Sequence, residues 1–468
     1  MSKIPAVVMK FGGSCFKDPA AFERIVQITD LYNKYKKVYV CSALKGITDK
    51  LVKVCEHAKD HNSQGVFDTL KEIEKKHSDT IEAIFNGKDE LKKKANKFIS
   101  KKISSINSIV LEIEEFGIEP YFSDYVLSYG EKLSTYLLHM YLKMKGYNTE
   151  YFVGEDLIIT NDNFTDALPN YKYTFNRVQD AMKPHIEKEA DDKIFCVTGF
   201  IGRNKIGYTT TLGRGGSDFT ATILARSLFE VCKNIEIEVI LWKDVDGILT
   251  ADPRFVQEPK LVKKLNYKEA AESAFFGAKI LHPKCLAAIE NQKIPVVIKN
   301  FENPEENVKF SVISDETEPG NLKGISTISE MSMISVTSGT LVNVPGVLGK
   351  IFTILGDNEI SVSMVAQSSS EINTTFVVEK EVGQKAVDIL SKHPDLQEWY
   401  SITKKNVGII AVIGDEIHKS NSKIFNALGK HNINVIAVAQ SSDDLNISII
   451  VSSDNVQEAV CAINREFQ

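Results

Sequence analysis

The residues best suited to chemistry directly follow the apolar run "AVVMKF" (residues 6–11), where Lys10 precedes Gly12, Gly13 and Ser14. Paired glycines let backbone N–H groups approach a polyanion closely, and a lysine two residues earlier supplies a positive charge. Taken alone, a lysine before two glycines at the end of a strand is also typical of an ordinary turn. The segment therefore indicates a phosphate site only together with other anion-binding segments.

A second glycine-rich segment is "TTTLGRGGSDFTA" (residues 209–221). Ser217 and Asp218 open a helical pattern there, and a helix N-terminus attracts anions. Arg214 can hold a carboxylate through two hydrogen bonds. The alternative is a plain loop in which Ser217 or Asp218 caps the helix. Two such loops in one domain favour the anion-binding interpretation.

A third cluster, "WKDVDGILTADPR" (residues 242–254), contains Lys243, Asp244 and Arg254 after an apolar strand pattern. The Asp-Gly and Asp-Pro pairs account for part of it as turns. Arg254 lies past the turn, where it could reach a phosphate. On residue types alone, the three segments indicate phosphoryl transfer to a small acid.

The elements that position these segments alternate between strand and helix. Apolar strand patterns recur at "KVYVCSA", "KIFCVTGFIG", "IEVILWKDV" and "IPVVIKN", while residues 57–145 are mostly helical in pattern. This alternation predicts an α/β domain, with helices on both sides of a largely parallel central sheet. We expect that domain to span residues 1–302.

A repeat follows. "KIFTILGDNEISVSMVAQSS" from Lys350 aligns in register with "KIFNALGKHNINVIAVAQSS" from Lys423, 73 residues later. A duplicated unit of strand, helix, strand and strand is the simplest explanation, and each copy is expected to close as a ferredoxin-like βαββαβ unit. The predicted boundaries are 303–330 for a linker with a strand contributed to the regulatory domain, 331–403 for the first copy and 404–468 for the second.

Composition excludes several classes of protein. A net charge of −6 gives no reason to expect nucleic acid or an anionic membrane as a partner. The seven cysteines show no C-x-x-C spacing and the nine histidines no metal-binding pair, so we expect reduced thiols, no bound structural metal and a cytoplasmic location.

Taken in order, "KFGGS", "SALKGITD", "LSYGEKLS", "VTGFIG", "TTLGRGGSD", "WKDVDGILTADPR" and "FFGAKILHP", followed by the repeat, resemble aspartate kinase, of the amino acid kinase family with tandem C-terminal ACT domains. The resemblance covers essentially the whole chain. It implies transfer of the ATP γ-phosphate, with Mg²⁺ on the nucleotide, to the side-chain carboxylate of L-aspartate. The product is 4-phospho-L-aspartate, the entry to lysine, threonine and methionine synthesis.

The resemblance also implies roles for residues that match the family's motifs. Catalysis is expected to depend on Lys10, Arg214 and Asp218. The expected nucleotide site comprises Lys10, Phe11, Gly12, Gly13, Ser14, Lys243, Asp244, Leu249, Arg254, Lys279 and Ile280. The expected aspartate site comprises Ser42, Thr48, Glu131, Arg214, Gly215, Gly216 and Ser217, with Glu131 facing the substrate ammonium.

Feedback control is implied by the ACT units, which bind amino acids where two units pair. We expect a homodimer or higher homo-oligomer formed through them. "VAQSS" with a Gln resembles threonine-sensitive members of the family, so threonine is favoured as effector and lysine is the alternative. The expected regulatory residues are Val347, Leu348, Ser361, Val362, Gln367, Ser368, Asn373, Gln440 and Asn446, with the first copy as the sensor.

Two rival functions remain open at this point: another kinase of the same fold, or an amino-acid sensor without activity. Three positions also depart from the family's pattern, namely Cys15, Lys243 and Leu249. Cys15 follows the phosphate loop, and its thiol is predicted to make the site sensitive to oxidation.

Overall fold

The structure is a computed structural model that describes residues 3–275, 281–305, 309–316, 322–338, 345–367, 373–394, 396 and 400–467. Its strands, in chain order, are β1 (Ile4–Phe11), β2 (Lys36–Cys41), β3 (Thr149–Phe152), β4 (Ile194–Thr198), β5 (Ile201–Arg203), β6 (Thr209–Thr211), β7 (Ile235–Lys243), β8 (Lys264–Leu265), β9 (Val296–Asn300), β10 (Ser311–Ile313), β11 (Gly324–Thr337), β12 (Met364–Gln367), β13 (Asn373–Glu379), β14 (Ser401–Ile413), β15 (Ala437–Gln440) and β16 (Asn446–Ser452).

The helices, in chain order, are α1 (Ala20–Leu31), α2 (Ile47–Lys59), α3 (Ser63–Ile84), α4 (Asp89–Phe116), α5 (Pro120–Leu127), α6 (Tyr129–Met144), α7 (Gly154–Leu157), α8 (Tyr171–Ala181), α9 (Lys183–Ile186), α10 (Gly216–Val231), α11 (Tyr267–Phe275), α12 (Pro283–Ala287), α13 (Val347–Asp357), α14 (Gly383–Lys392), α15 (Asn421–Lys430) and α16 (Val456–Glu466). Among these described helices, none is long and apolar enough to cross a membrane.

The chain forms two compact units. The first contains the residues before Leu249 together with 263–267 and 281–316, and the second contains 249–262, 268–275 and the residues from 322 onward. This division differs from the single predicted boundary at residue 302. Two short stretches inside the predicted catalytic domain, 249–262 and 268–275, belong to the second unit instead. In the first of them, the apolar residues Ala251 and Val256 lie in the core of that unit.

The first unit contains an eight-stranded sheet in the order β3-β4-β2-β1-β7-β9-β10-β8. From β3 to β9 each strand is parallel to the next, whereas β10 is antiparallel to β9 and parallel to β8. Every residue of β2 and the last six of β1 are buried, as is typical of parallel strands that are covered on both faces. The prediction of a largely parallel sheet is therefore confirmed.

The second unit contains a six-stranded antiparallel sheet in the order β12-β13-β11-β14-β16-β15. Two of its strands are long, and each serves both repeats. The Met331–Thr337 half of β11 pairs with β13, while the Gly324–Ile328 half pairs only with the Ile409–Ile413 end of β14, beyond an irregularity after Ile328. The start of β14 likewise pairs with the later half of β11.

This arrangement completes both ferredoxin-like units. In the first repeat, β11, α13, β12, β13 and α14 are followed by the start of β14 as the fourth strand. In the second repeat, the strand order needs a fourth strand beside β14, and the segment Gly324–Ile328 from before the first repeat supplies it. The prediction of two βαββαβ units is confirmed, with their fourth strands exchanged through β11 and β14.

Candidate functional site

The ends of four neighbouring strands define the site. In the register of the sheet, Phe11 of β1 lies beside Cys41 of β2 and Trp242 of β7, and Cys41 lies beside Thr198 of β4. Their carboxyl ends therefore meet at one edge, which is where α/β sheets bind ligands. The loops that leave these strands carry most of the predicted site residues.

A buried ion-pair triad lies at this edge. The Nζ of Lys10 is 2.7 Å from Oδ1 of Asp218, and the Nζ of Lys243 is 2.8 Å from Oδ2 of the same carboxylate. Asp218 stands in the first turn of α10 and the two lysines stand near the ends of β1 and β7. Two cations on one carboxylate leave a net positive charge in a region with little access to water.

The pKa values agree with a charged triad. Burial raises the pKa of Asp218, but Lys10 and Lys243 lower it further, to about 2. Burial also lowers the pKa of Lys10, and its interactions with Asp218 outweigh this, so that the pKa lies above its ordinary value. Asp218 is therefore ionised at neutral pH and keeps the Lys10 ammonium in place.

The glycines after β1 make room for the Lys10 ammonium. A Cβ atom on Gly12 would lie 3.0 Å from the Lys10 Nζ, so a larger residue would displace the charge. Gly13 lines the open space next to it, with a hypothetical Cβ 3.5 Å from the carbonyl oxygen of Ala43. The chain therefore presents a lysine and small residues together, which suits a phosphate group.

The loop before α10 carries Arg214 between two glycines in the left-handed region, Gly213 (φ 72°) and Gly215 (φ 73°). A Cβ on Gly215 would also lie 2.8 Å from the Cβ of His282. Both constraints favour glycine. Arg214 is exposed, and among the described residues it has no ion-pair partner. Its guanidinium is thus available to a ligand carboxylate.

Glu131, in the first turn of α6, faces the same space. Its Oε1 accepts a hydrogen bond from the Ala43 N–H at 3.2 Å, whereas Oε2 is buried and has no hydrogen-bond partner in the described part of the chain. Helix α6 comes close because Gly130 has no Cβ, which would lie 2.8 Å from that of Ala43. Burial raises the pKa of Glu131 to about 8, although the Ala43 N–H lowers it.

These groups surround one cavity of about 480 Å³. It is lined by predicted residues from four separate segments of the first unit, namely Lys10, Gly13, Ser14, Ser42, Thr48, Glu131, Arg214, Gly215, Gly216, Ser217 and Asp218. Residues 131 and 218 are far apart in sequence, so their convergence is a result of the fold. In the described residues, no group of three or more His, Cys, Asp or Glu could hold a metal ion.

Sequence reasoning missed other residues of the lining, which are Ala43, Leu44, Lys45, Gly46, Phe200 and Gly213. Phe200 adopts φ 70°, an unusual value for a bulky residue, and its N–H donates to the Thr220 Oγ1 at 2.9 Å. The Gly-Phe pair directly after the β4 pattern was the available signal. It indicates a sharp turn at the functional edge of the sheet.

Comparison with known proteins supports one family. The profile of the amino acid kinase family matches residues 5–300, and that of the ACT domain matches 334–393 and 410–467. The chloroplastic aspartokinase 2 of Arabidopsis thaliana is 30% identical over 474 residues, which cover 98% of this chain and 84% of the relative. The chain belongs to the aspartokinases, within the amino acid kinase family.

Other relatives are longer proteins. The bifunctional aspartokinase/homoserine dehydrogenase of Buchnera aphidicola is 30% identical over 465 residues, which cover 97% of this chain but 55% of the relative. The chain thus spans about half the length of the bifunctional members of the family that it matches. The crystal structure of E. coli aspartokinase III in complex with aspartate and ADP is 25% identical, covers 98% of this chain and 99% of its own, and has a TM-score of 0.80. The same enzyme in complex with lysine and aspartate has a TM-score of 0.79.

The predicted nucleotide residues are less completely placed. The ring of Phe11 is fully buried and packs on Tyr39, Trp242 and Phe301, so only its backbone could contact a nucleotide. Lys243 points to Asp218 and so joins Lys10, rather than standing free at an adenine edge. Asp244 is exposed at the end of β7.

Leu249 and Arg254 belong to the second unit, where Arg254 forms hydrogen bonds of 2.5–3.1 Å with Asp252 through Nε and a terminal nitrogen. A phosphate would have to compete with that exposed pair. Lys279 and Ile280 lie outside the described residues.

The prediction about Cys15 was wrong. Its side chain is 1% exposed, and its Sγ donates to the carbonyl oxygen of Trp242 at 3.3 Å. Burial raises the pKa of the thiol to about 11, although Lys10 lowers it. Oxidation begins at an accessible thiolate, and the buried, protonated thiol of Cys15 is not one.

The predicted regulatory residues of the first repeat lie around β12: Gln367 and Asn373 are at one end of the β12–β13 pair, and Ser361 and Val362 are toward the other. Val347 and Leu348 open α13, Ser361 and Val362 precede β12, and Gln367 and Asn373 are exposed at the facing ends of β12 and β13. Within the described part of the chain, Gln367 makes no side-chain hydrogen bond, and the Asn373 Oδ1 accepts two long ones, from the Thr337 Oγ1 (3.4 Å) and the Thr375 Oγ1 (3.5 Å). Ser368 lies outside the described residues.

The equivalent residues of the second repeat are engaged within the chain. The Asn446 Nδ2 donates to Oε2 of Glu272 in α11 at 2.6 Å, and its Oδ1 accepts from the Ser448 Oγ at 3.1 Å. The Gln440 Nε2 donates to Oδ1 of Asp444 at 2.9 Å. Asn446 is buried.

Proposed function

We propose that this chain is an ATP-dependent aspartate kinase that transfers the γ-phosphate to the side-chain carboxylate of L-aspartate. The observation that carries the proposal is the buried Oε2 of Glu131, which has no hydrogen-bond partner among the described residues and lies in the same cavity as Arg214 and Lys10. A buried carboxylate oxygen without a partner is expensive, and a ligand ammonium would satisfy it.

The cavity complements the charges of L-aspartate. The α-ammonium would pair with Glu131, and the α-carboxylate with the Arg214 guanidinium and backbone N–H groups of residues 215–217. With both α groups held, the side-chain carboxylate would extend toward Lys10. Ser42 and Thr48 line the same cavity and supply further hydrogen-bond partners.

The reaction needs positioning and charge neutralisation more than proton transfer. The side-chain carboxylate of aspartate has a pKa of about 3.9, so it is already a nucleophile at neutral pH and needs no general base. The difficulty is repulsion between that carboxylate and the triphosphate. Lys10 and Lys243, oriented by Asp218, supply positive charge at the point where the two anions meet.

The nucleotide phosphates would lie on the turn Gly12–Ser14, where the chain has small residues beside Lys10. Mg²⁺ is commonly bound by substrate phosphates and waters, and it neutralises phosphate oxygens when the nucleotide is bound. We assign Mg²⁺ to the nucleotide.

In this proposal the enzyme makes 4-phospho-L-aspartate for lysine, threonine and methionine synthesis in the cytoplasm, as a homo-oligomer formed through its ACT units. Effector binding at the first repeat, through Gln367 and Asn373, inhibits it. Threonine is the favoured effector because of the "VAQSS" pattern, and lysine is the second candidate because a complex of E. coli aspartokinase III contains it.

The test is an aspartyl-hydroxamate assay with ATP and Mg²⁺, in which aspartate, glutamate and acetylglutamate are compared as acceptors. We expect product from aspartate alone, and inhibition by threonine, with lysine tested separately and in combination. Product from another acceptor would assign a different kinase of the same fold. ATP binding with no product from any acceptor would instead indicate an amino-acid sensor.

A further inference from the structure

A carboxylate outside the cavity is bound to the segments that hold the Arg214 loop. Asp124, in the middle of α5, is fully buried and was not suggested by any sequence pattern. Its Oδ2 accepts hydrogen bonds from the N–H groups of Thr165 (2.9 Å) and Thr211 (2.8 Å). Its Oδ1 accepts from the Thr211 Oγ1 at 2.7 Å.

Thr211 is the last residue of β6 and stands three positions before Arg214. Its N–H and hydroxyl are bound to Asp124, and its carbonyl oxygen accepts from the Ala167 N–H at 2.9 Å. All of its polar groups are therefore fixed. The residue that follows, Leu212, continues this constraint, since its N–H donates to the Phe200 carbonyl oxygen at 2.9 Å.

Thr165 connects Asp124 to the loop by a second route. The next residue, Asp166, packs on Gly213, where a Cβ atom would lie 2.1 Å from the Asp166 Oδ1. The Nζ of Lys284 holds this carboxylate at 2.5 and 2.6 Å. Asp124 is thus hydrogen-bonded both to β6, which leads into the loop, and to Thr165, which precedes the residue packed against Gly213.

The Arg214 side chain depends on this support because, among the described residues, it has no ion-pair partner of its own. The placement of its guanidinium then follows from the backbone of residues 211–215. Burial raises the pKa of Asp124, although its three hydrogen bonds lower it. A neutral side chain that accepts the two N–H groups would fit the same place.

We propose that Asp124 is the positioning residue of the loop Gly213–Ser217, setting Arg214 where it binds the substrate α-carboxylate. This inference depends on the proposed function, which gives Arg214 that role. Among the described residues, Asp124 is not part of the cavity lining, and it acts on the loop through its hydrogen bonds with Thr211 and Thr165.

The test compares Asp124→Ala, Asp124→Asn and Thr211→Val in the full chain. Asp124→Ala leaves the three donors unpaired, and we expect the aspartate KM to rise roughly 10- to 30-fold, with the ATP KM within about twofold of wild type. Asp124→Asn should restore most of the affinity. Its amide oxygen can accept both N–H groups, and its NH₂ can donate to the Thr211 hydroxyl, which can reverse its role.

Thr211→Val removes only the hydroxyl and should raise the aspartate KM about threefold. Thr174→Val is the matched control, because the buried Thr174 Oγ1 also links a helix to a neighbouring segment, accepting from the Ile159 N–H at 3.1 Å, but holds no part of the loop. It should lower the melting temperature without changing the aspartate KM. L-aspartate binding, measured by calorimetry with ADP present, should weaken in step with the KM.

Each outcome decides. Unchanged aspartate KM in Asp124→Ala and Thr211→Val, in an enzyme that phosphorylates aspartate, overturns the positioning role and leaves the function intact. The positioning role is also overturned if Asp124→Ala and Thr174→Val raise the aspartate KM equally, or if Asp124→Asn does not restore the aspartate affinity. If Asp124→Ala does not fold, the Asn and Val variants still decide. Weaker aspartate binding in the variants, with no phosphorylation by wild type, supports positioning and refutes the kinase. A wild type that binds no aspartate refutes both.

Discussion

Glu131 in the cavity and Asn446 in the second repeat are both buried polar residues, yet their surroundings differ. Glu131 keeps one carboxylate oxygen without a partner among the described residues, whereas both polar atoms of the Asn446 amide are bound, to Glu272 and Ser448. In the first repeat, the corresponding amides of Gln367 and Asn373 are exposed at the ends of β12 and β13, where a ligand could reach them. The polar groups of Asn446 are thus bound within the chain, whereas Glu131, Gln367 and Asn373 keep polar atoms that a ligand could bind.

The difference separates groups kept for a ligand from groups used by the fold. Buried polar groups in native proteins are nearly always hydrogen-bonded, so an exception calls for an explanation. In the second repeat, the Asn446 amide, which the repeat pattern predicts to bind an amino acid, instead donates a hydrogen bond to the Glu272 carboxylate. We therefore expect substitutions of groups that are available to a ligand to affect binding or turnover. Substitutions of groups that are hydrogen-bonded within the chain should affect stability.

Lys10 gives the most demanding test of this distinction, because it is paired with Asp218 within the chain and also lines the cavity. Lys10→Ala should lower kcat roughly 1,000-fold, since it removes a charge placed at the developing negative charge of the transition state. Lys36→Ala is the matched control: Lys36 is also buried, but its Nζ donates to backbone carbonyls, at 2.6 Å for Lys188. It should lose stability and keep its kcat. A Lys10→Ala enzyme that melts early but turns over normally would contradict the role of Lys10.

Glu131 should make aspartate binding depend on pH. Its pKa of about 8 means that the free enzyme carries a proton on Glu131 at neutral pH, and this proton must leave before the carboxylate can pair with an ammonium. The aspartate KM should therefore fall as the pH rises from 6 to 8.5, by up to about tenfold per pH unit. Glu131→Gln should remove this dependence and raise the KM at pH 8.5 roughly 100-fold.

The raised pKa of Glu131 also predicts that the free energy of unfolding falls as the pH rises. Because the folded-state pKa lies above the ordinary 4.5, the folded protein holds the proton more tightly than the unfolded chain between these values. Ionisation of Glu131 therefore lowers the free energy of unfolding as the pH rises from about 5 to 8. Glu131→Gln should melt above wild type by a margin that grows over this range, and a constant margin would contradict the assignment.

Arg214→Ala should raise the aspartate KM roughly 10- to 100-fold, through the loss of a charge-assisted pair with the α-carboxylate. Its melting temperature should match that of wild type, because Arg214 is exposed and makes no ion pair with other described residues. Arg177→Ala, at an exposed position in α8, is the control for loss of surface charge. An unchanged KM in Arg214→Ala would show that the open guanidinium does not bind the substrate.

The smallest effects should come from the repeats, and they test the comparison directly. The double change Gln367→Ala and Asn373→Ala should weaken inhibition by threonine or lysine about tenfold, within the usual range of allosteric coupling, with little change in melting temperature. The matched pair Gln440→Ala and Asn446→Ala should leave the inhibition constant unchanged and lower the melting temperature by a few degrees. The reverse pattern would place the effector at the second repeat.

Much of this molecule could be predicted from local sequence. The strand and helix alternation, the duplicated unit and the glycine-rich loops are local patterns, and each has a physical reason in backbone conformation or in the period of burial. Lys10, Glu131, Arg214 and Asp218 could be named because each lies in a short motif. That they line one cavity depends on strand order, which no single segment contains.

The residues that were missed or misjudged depend on long-range packing. Cys15 looks reactive beside a glycine turn, but Trp242, more than 200 positions later, accepts its thiol hydrogen. Asp124 lies in a plain helical pattern, and its partners, Thr165 in a turn and Thr211 at the end of β6, are far from it in sequence. The packing of residues 249–262 with the regulatory core is similarly invisible in "LTADPRFVQEP", because its apolar residues are too few to show a period.

The strand segment Gly324–Ile328 has a consequence for where this gene can be cut and joined. Because it precedes the first repeat in sequence but completes the second, the regulatory half cannot be divided into two exchangeable cassettes at residue 403. A fragment beginning at residue 331 would leave an open edge on β14, exposing backbone groups that invite aggregation. Chimeras that transplant effector sensitivity between relatives should therefore exchange the residues from 322 onward as one piece, together with the stretches 249–262 and 268–275 of the same unit.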